Sequence, residues 1–239
     1  MNILIPMAGE GKRFKDGNIL TPKPLISIFD KPMAIHAIES LGVNGSLIVV
    51  VQNNAVGHEI EQVIKQHFPE TKVCYSEGLT EGPACSALLA KDHICNDQPL
   101  IITNCDQILT WDGQAFNSFL QCVNYDGLIV TYTTQKPINS YAKLNRQGLV
   151  VEIKEKEVIS DISLNGIHYW KKGADFICSA ETMIANEDRC INGEYYIGPT
   201  YNYLIKEGKK IGIYHIPSCQ HHAVGVPEDL QRFLKHAEI

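Results

Sequence analysis

The chain has 239 residues, 44% of them hydrophobic and 20% charged. That length fits one large α/β domain or at most two small ones, and the composition excludes a chain disordered over most of its length. A net charge of -6 argues against gripping a nucleic-acid backbone with the whole surface, although a local basic pocket is compatible with it. No apolar run approaches the roughly 18 residues of a membrane-spanning helix. Ile3 to Ala8 is too short for a signal peptide, and Lys12 and Arg13 follow it rather than precede it. The expectation is a protein with neither a nucleic-acid nor a membrane partner.

Asn2 to Met7 reads as a buried strand, Pro32 to Leu41 as a helix with Pro32 in its first turn, and Ser46 to Val51 as a second buried strand. Ala55 to His67 has helical spacing, Lys72 to Tyr75 is a short strand, and Pro83 to Asp92 a helix. Pro99 to Thr103 is a strand that ends at Asn104-Cys105-Asp106; a helix from Asp112 to Val123 and a strand from Gly127 to Thr133 follow. Apolar strands alternating with helices predict a parallel sheet covered on both faces. Beyond residue 133 the pattern changes to short strands near Ala142 to Leu144, Leu149 to Ile153 and Gly166 to Trp170. Helices over Gly173 to Ala185 and Ile197 to Lys206, a strand over Lys210 to Ile216 and a helix over Pro227 to His236 complete the chain. No linker-like composition divides it. The expected organisation is one domain, with a nucleotide-binding half over 1–133 and an acceptor-binding half over 134–239.

The eight cysteines (Cys74, Cys85, Cys95, Cys105, Cys122, Cys178, Cys190, Cys219) form no CxxC pair, so zinc is not expected. They read as free, mostly buried thiols of a reducing compartment, hence a cytoplasmic location. His221 and His222 are adjacent, and neighbours on a strand face opposite sides. Trp111 and Trp170 read as packing residues rather than stacking platforms.

The first strand leads into Ala8-Gly9-Glu10-Gly11-Lys12-Arg13-Phe14. Gly9 and Gly11 permit positive φ and a close approach of backbone to a ligand, and successive N–H groups in such a turn form an anion-binding concavity. Lys12 and Arg13 add fixed positive charge. Lys23 follows between Pro22 and Pro24, which stiffen its segment. The loop is neither a Walker loop nor GxGxxG. Taken alone, it reads equally as a strand-to-helix turn with solvated cations.

The run from Met7 to Phe14, followed by Pro22-Lys23-Pro24-Leu25 and Lys31-Pro32-Met33, resembles the signature of sugar-phosphate nucleotidyltransferases. The resemblance continues through Glu77 to Ala87, Asn104-Cys105-Asp106, Glu155-Lys156, Gly166 to Tyr169, Glu194-Tyr195-Tyr196 and Gly225 to Asp229. It implies a Rossmann-like three-layer α/β/α fold of the GT-A type, with a central mixed, mostly parallel sheet. It also implies transfer of a nucleoside monophosphate from a nucleoside triphosphate to a sugar 1-phosphate or related phosphorylated small-molecule acceptor, releasing pyrophosphate. Surface-polysaccharide biosynthesis is the expected setting and CTP the favoured donor, the latter by family analogy alone. The oligomeric state is left open.

The same resemblance assigns roles. Arg13 would neutralise the triphosphate and the leaving pyrophosphate, and Lys23 would sit near the α-phosphate. Ala8, Gly9, Gly11 and Lys12 would cradle the nucleotide, while backbone groups near Leu79 and Gly82 would read the base. Lys156 would hold the acceptor phosphate, and Asn165 and Glu194 would touch the acceptor. Asp106 ends a buried strand, where a carboxylate is costly unless paired or bound to a metal. The resemblance makes it the Mg²⁺ ligand, with a capping aspartate before the next helix as the alternative. Thr80-Glu81-Gly82-Pro83 also suits a helix start.

Two positions depart from the family pattern. Ala223 stands where many relatives place a second metal-binding aspartate; Asp161, a histidine of the 221–222 pair, or water and phosphate oxygens are the candidate substitutes. Lys12 stands where relatives often carry Thr or Ser. Ala223 keeps a second class of function in view, a nucleotide-sensing domain without turnover. A glycosyltransferase using a finished nucleotide sugar is a third, disfavoured because Asn104-Cys105-Asp106 is not Asp-Xaa-Asp.

Overall fold

The structure, a computed structural model, describes residues 1–237. Its first half runs β1 (Asn2–Pro6), α1 (Lys12–Asp16), β2 (Ser27–Ile28), β3 (Lys31–Pro32), α2 (Met33–Leu41), β4 (Ser46–Gln52), α3 (Ala55–His67), β5 (Lys72–Ser76), α4 (Pro83–Leu88), α5 (Lys91–Ile94), β6 (Leu100–Ile102), β7 (Gln107–Leu109), α6 (Gly113–Cys122) and β8 (Gly127–Thr133). The second runs β9 (Ser140–Leu144), β10 (Val150–Glu155), β11 (Ile162–Trp170), α7 (Gly173–Ala185), α8 (Tyr201–Lys206), β12 (Ile211–His215), β13 (His221–Ala223) and α9 (Pro227–Ala237).

The main sheet has nine strands, with β10-β9-β11-β6-β1-β4-β5 in order and β8 and β12 branching from β11. β1 pairs in parallel with β4 and β6, and β4 with β5, whereas β11 pairs antiparallel with both β6 and β8. Strands from both halves of the chain thus share one hydrogen-bonded sheet.

Alternating side chains send the sheet's apolar residues into two cores. Leu4, Ile48, Val50, Leu100 and Ile102 face one, where α7 and α8 supply Phe176, Met183 and Leu204. Ile3, Ile5, Val49, Val51 and Ile101 face the other, where α2, α3 and α6 supply Ile35, Ile64 and Phe116. Helices on both faces make the three-layer α/β/α architecture that the resemblance implied. A third, small core joins Phe14, Ile28, Met33, Val224 and Leu230. It ties α1 and the β2–β3 hairpin to β13 and α9, on the side of the sheet where the carboxyl ends of β1 and β6 open.

The predicted helix over Pro83 to Asp92 is two short helices, α4 and α5, broken at Leu89 and Ala90. Ile197 to Lys206 starts as a 3₁₀ turn at Gly198–Thr200 before α8 begins. The cysteines are free, but four of the eight (Cys95, Cys122, Cys178, Cys219) are exposed and only Cys105 is buried, so the expectation of mostly buried thiols is corrected. Trp170 is buried in the first core, and the Trp111 indole donates to the Ser40 carbonyl at 3.0 Å; both are packing residues.

Candidate active site

The site grows from the carboxyl end of β1. Gly11 adopts φ 64 and caps α1, whereas Gly9 has no positive φ, so only one of the two glycines is there for left-handed backbone. A Cβ on Gly11 would lie 3.1 Å from the Cβ of Lys23, so the loop packs directly against that lysine. Pro22 leads into a 3₁₀ turn over Lys23–Leu25, which fixes the lysine backbone. The Gln52 amide donates to the Ala8 carbonyl at 2.8 Å and pins the start of the loop to β4.

Opposite the loop, Asp106 lies between β6 and β7. Its carboxylate accepts from Lys23 Nζ at 2.5 Å, with the two side chains 25% and 24% exposed. Burial disfavours both charges, yet each partner outweighs it for the other: the Lys23 pKa lies above its ordinary value and that of Asp106 below. Arg13 is close enough to lower Asp106 further and to oppose Lys23. Burial pushes the neighbouring Cys105 thiol up to about 11, so it stays a neutral thiol. The capping alternative for Asp106 fails, because Asp112 caps α6 by accepting from Gln114 N and Ala115 N. β13 pairs antiparallel with β7, with Ala223 opposite Gln107, and Val224 N donates to the Asp106 carbonyl at 2.9 Å.

Two cavities meet at Pro83. The first, of about 410 Å³, is lined by all six residues expected to bind nucleotide: Ala8, Gly9, Gly11, Lys12, Leu79 and Gly82. Its far wall is held by the chain before Tyr196: Tyr195 N donates to the Glu81 carbonyl at 2.9 Å, Ala84 N donates to the Tyr195 carbonyl at 3.0 Å, and Arg189 pairs with the Glu81 carboxylate. Pro83 opens α4 with Gly82 as its cap, as the sequence suggested.

The second cavity is a cleft of about 310 Å³ that reaches Arg13, Asp106, Asn165, His168, Tyr196 and Asp229. Asn165 is 3% exposed; its side-chain oxygen accepts from Ile167 N at 2.9 Å, and its amide nitrogen has no partner. His168, 7% exposed, likewise leaves Nδ1 without a partner, and burial drives its pKa down to about 3, so the ring is neutral. Buried polar atoms without partners are rare, and two of them lining one cleft mark places where a bound molecule would complete the hydrogen bonding.

The other acceptor expectations are placed differently. Lys156 does not line the cleft; its ammonium donates to the hydroxyl of Tyr196, which does. Glu194 lines the nucleotide cavity instead, and its carboxylate accepts from Tyr196 at 2.6 Å. The reason is that residues 193–196 cross from one cavity to the other. Tyr196, Glu155, His168 and Asp229 line the cleft without having been singled out. All four lie inside motifs of the resemblance, Glu155-Lys156, Gly166 to Tyr169, Glu194 to Tyr196 and Gly225 to Asp229, in which only neighbouring residues were given roles.

For a metal, the donors about Asp106 suit Mg²⁺ held by one carboxylate, because magnesium retains waters and takes phosphate oxygens from a substrate. Among the described residues no three of His, Cys, Asp and Glu come together as a protein-only metal site, and Ala223 offers no donor. Asp161 is exposed and does not line the cleft, which removes it as a substitute. His221 does line it, with a pKa lowered to about 4 by burial and by His222.

The comparisons place this fold in a nucleotidyltransferase family. Residues 3–158 match the family described as the MobA-like NTP transferase domain, so the chain belongs to that family, within the sugar-phosphate nucleotidyltransferases that its motifs resemble. It is 27% identical over 170 residues to the mannose-1-phosphate guanyltransferase of Schizosaccharomyces pombe, covering 66% of this chain and 46% of the relative. The chain thus spans about half the length of the curated relatives it matches. It shares its fold with a nucleoside-diphosphate-sugar pyrophosphorylase from Vibrio cholerae (TM-score 0.85, 23% identity, 98% and 99% of the two chains). It shares it also with an inositol-1-phosphate CTP transferase from T. maritima (TM-score 0.77, 14% identity, 98% and 93%). No helix among the described residues is long and apolar enough to cross a membrane.

Proposed function

We propose that the protein transfers a nucleoside monophosphate from a nucleoside triphosphate to a phosphorylated small-molecule acceptor, a sugar 1-phosphate or related ester, and releases pyrophosphate. The observation that carries this reading is the Lys23–Asp106 pair, whose carboxylate lines the cleft that meets the first cavity at Pro83. The triphosphate lies along Ala8 to Lys12 with its base against Leu79 and Gly82. Arg13 and Lys23 neutralise the phosphates, and an acceptor phosphate oxygen attacks the α-phosphorus from the cleft. Two anions must meet, so positioning and fixed positive charge do most of the work; the attacking phosphate is already ionised and needs no protein base. Asp106 would hold Mg²⁺, which supplies Lewis acidity and a template at the phosphates. Asn165 and His168 bind acceptor oxygens at the cleft floor, and Lys156, beside the cleft through its bond to Tyr196, contacts the acceptor phosphate.

The donor in this reading is CTP, in line with the T. maritima neighbour; the guanylyl chemistry named for the S. pombe relative makes GTP the competing outcome. The setting is surface-polysaccharide biosynthesis in the cytoplasm. Ala223 favours one second reading, a sensor that binds nucleotide without turnover. The test is thermal unfolding with CTP, UTP, GTP, ATP and dTTP, with and without Mg²⁺, followed by pyrophosphate release with a panel of sugar phosphates. Ligand at about a hundred times its Kd adds roughly 2.7 kcal/mol, or a rise of roughly 5–10 °C. A Mg²⁺-dependent shift with CTP and pyrophosphate release support the transferase. Binding without release favours the sensor, a shift with GTP alone replaces the donor, and no shift with any nucleotide refutes the nucleotide cavity.

A further inference from the structure

We propose that Tyr196 is a positioning residue for the acceptor phosphate: its hydroxyl, which lines the cleft, holds the Lys156 ammonium beside it as a ready anion-binding point. This rests on the reading of Lys156 as the acceptor-phosphate contact.

Two devices order this side chain. Lys156 Nζ donates to the Tyr196 hydroxyl at 2.7 Å. The same nitrogen lies 4.8 Å from the Tyr196 ring centroid, beyond the hydroxyl edge of the ring, so the hydroxyl and not the ring face carries the contact. The Lys156 backbone sits at φ 57, a conformation that non-glycine residues rarely adopt, and its N–H donates to the Asn139 carbonyl at 3.0 Å. A flexible four-carbon side chain is thereby ordered before any ligand arrives, which removes an entropic cost from binding.

The charge arrangement is equally pointed. The hydroxyl is the only hydrogen-bond partner of Lys156 Nζ among the described residues, and no carboxylate pairs with it there. The two nearby carboxylates are occupied by neutral donors. Glu155 accepts from the Ser140 hydroxyl, and Glu194 accepts from the Asn192 amide at 2.7 Å and from Tyr196 at 2.6 Å. A half-buried ammonium held by a neutral oxygen leaves its charge available to an incoming anion, whereas a carboxylate partner would neutralise it. Tyr196 orients it because its proton goes to Glu194, leaving the oxygen lone pairs to accept from Lys156 and from Asn192 at 3.0 Å.

The experiment follows lysine acylation by N-hydroxysuccinimidyl acetate, residue by residue, by peptide mass spectrometry on the whole protein, with inorganic phosphate as the probe. In the wild type, phosphate protects Lys156. In Tyr196→Phe, which keeps the ring, the protection midpoint at Lys156 rises about tenfold. It rises by a similar factor in Tyr196→Leu, because the hydroxyl is the contact that both variants lose. The reactivity of Lys12 in the phosphate loop stays at its wild-type value in both variants. An unchanged Lys156 midpoint in Tyr196→Phe overturns the proposal and leaves the reading of Lys156 standing. Changes at Lys12 as large as those at Lys156 overturn it in favour of a purely structural role. No protection of Lys156 in the wild type overturns the proposal and the acceptor-phosphate reading together.

Discussion

Lys23 and Asp106 are expected to be energetically coupled, and a double-mutant cycle of Lys23→Met and Asp106→Asn measures it. At 2.5 Å and an effective dielectric near 20, the gross attraction is about 6–7 kcal/mol. Both side chains are about a quarter exposed, at 24% and 25%, so solvent screening and the cost of desolvating two ions cancel most of that. The net coupling should be about 1–3 kcal/mol. Burial raises and Lys23 lowers the Asp106 pKa, with a net depression below 3.8; this contribution is complete above the unfolded value and is lost as pH falls through the lower folded one. Lys23 has a net elevation above 10.5, so its contribution is complete below that value and is lost as pH rises through the higher folded one. The coupling should therefore be flat between about pH 5 and pH 9. Urea unfolding of the four proteins at pH 7, in 0.1 M and 0.5 M salt, reads it directly. A coupling under about 0.3 kcal/mol, or one that vanishes in 0.5 M salt, would refute the argument and reduce the pair to a solvated surface contact. The same single variants should lose at least about a hundredfold in turnover while remaining folded.

Two further predictions concern the cavity walls. Gly82 sits at φ 133, and a Cβ there would lie 2.5 Å from the Tyr195 carbonyl oxygen, so Gly82→Ala should cost about 2 kcal/mol or more and weaken nucleotide binding in a thermal-shift titration. His168 has a folded pKa of about 3 against an ordinary 6.5, so the unfolded chain takes up its proton first and stability falls with pH between those values. From pH 7.5 to pH 5 this residue alone should remove about 2 kcal/mol, and His168→Phe should lose that much less over the same range; equal losses in the two proteins would show that His168 is not held neutral.

Much of the molecule follows from its local sequence. The helices Ala55–His67 and Gly173–Ala185 have the limits that their periodicity predicts, because an amphipathic repeat over more than three turns leaves little choice of boundary. That six residues line one cavity is legible for a related reason: they occupy two short, contiguous loops whose glycine and proline chemistry is written in the chain. The break at Leu89 and Ala90 lacks any such local signal.

The acceptor side is another matter. The pairing of β13 with β7 joins residues over a hundred positions apart, and each strand has only three residues, too few to carry a pattern. That pairing decides which side chains surround Asp106 and leaves Ala223 where it can donate nothing to a metal. The crossing of residues 193–196 between two cavities sends Glu194 to the first cavity and Tyr196 to the cleft and Lys156. The sequence by itself therefore determined the layered sheet and the phosphate loop, since burial and turn chemistry act over a few residues. Only the tertiary structure decided which side chains line the cleft, because the strand ends that meet there are brought together by packing of the sheet and not by their neighbours in the chain.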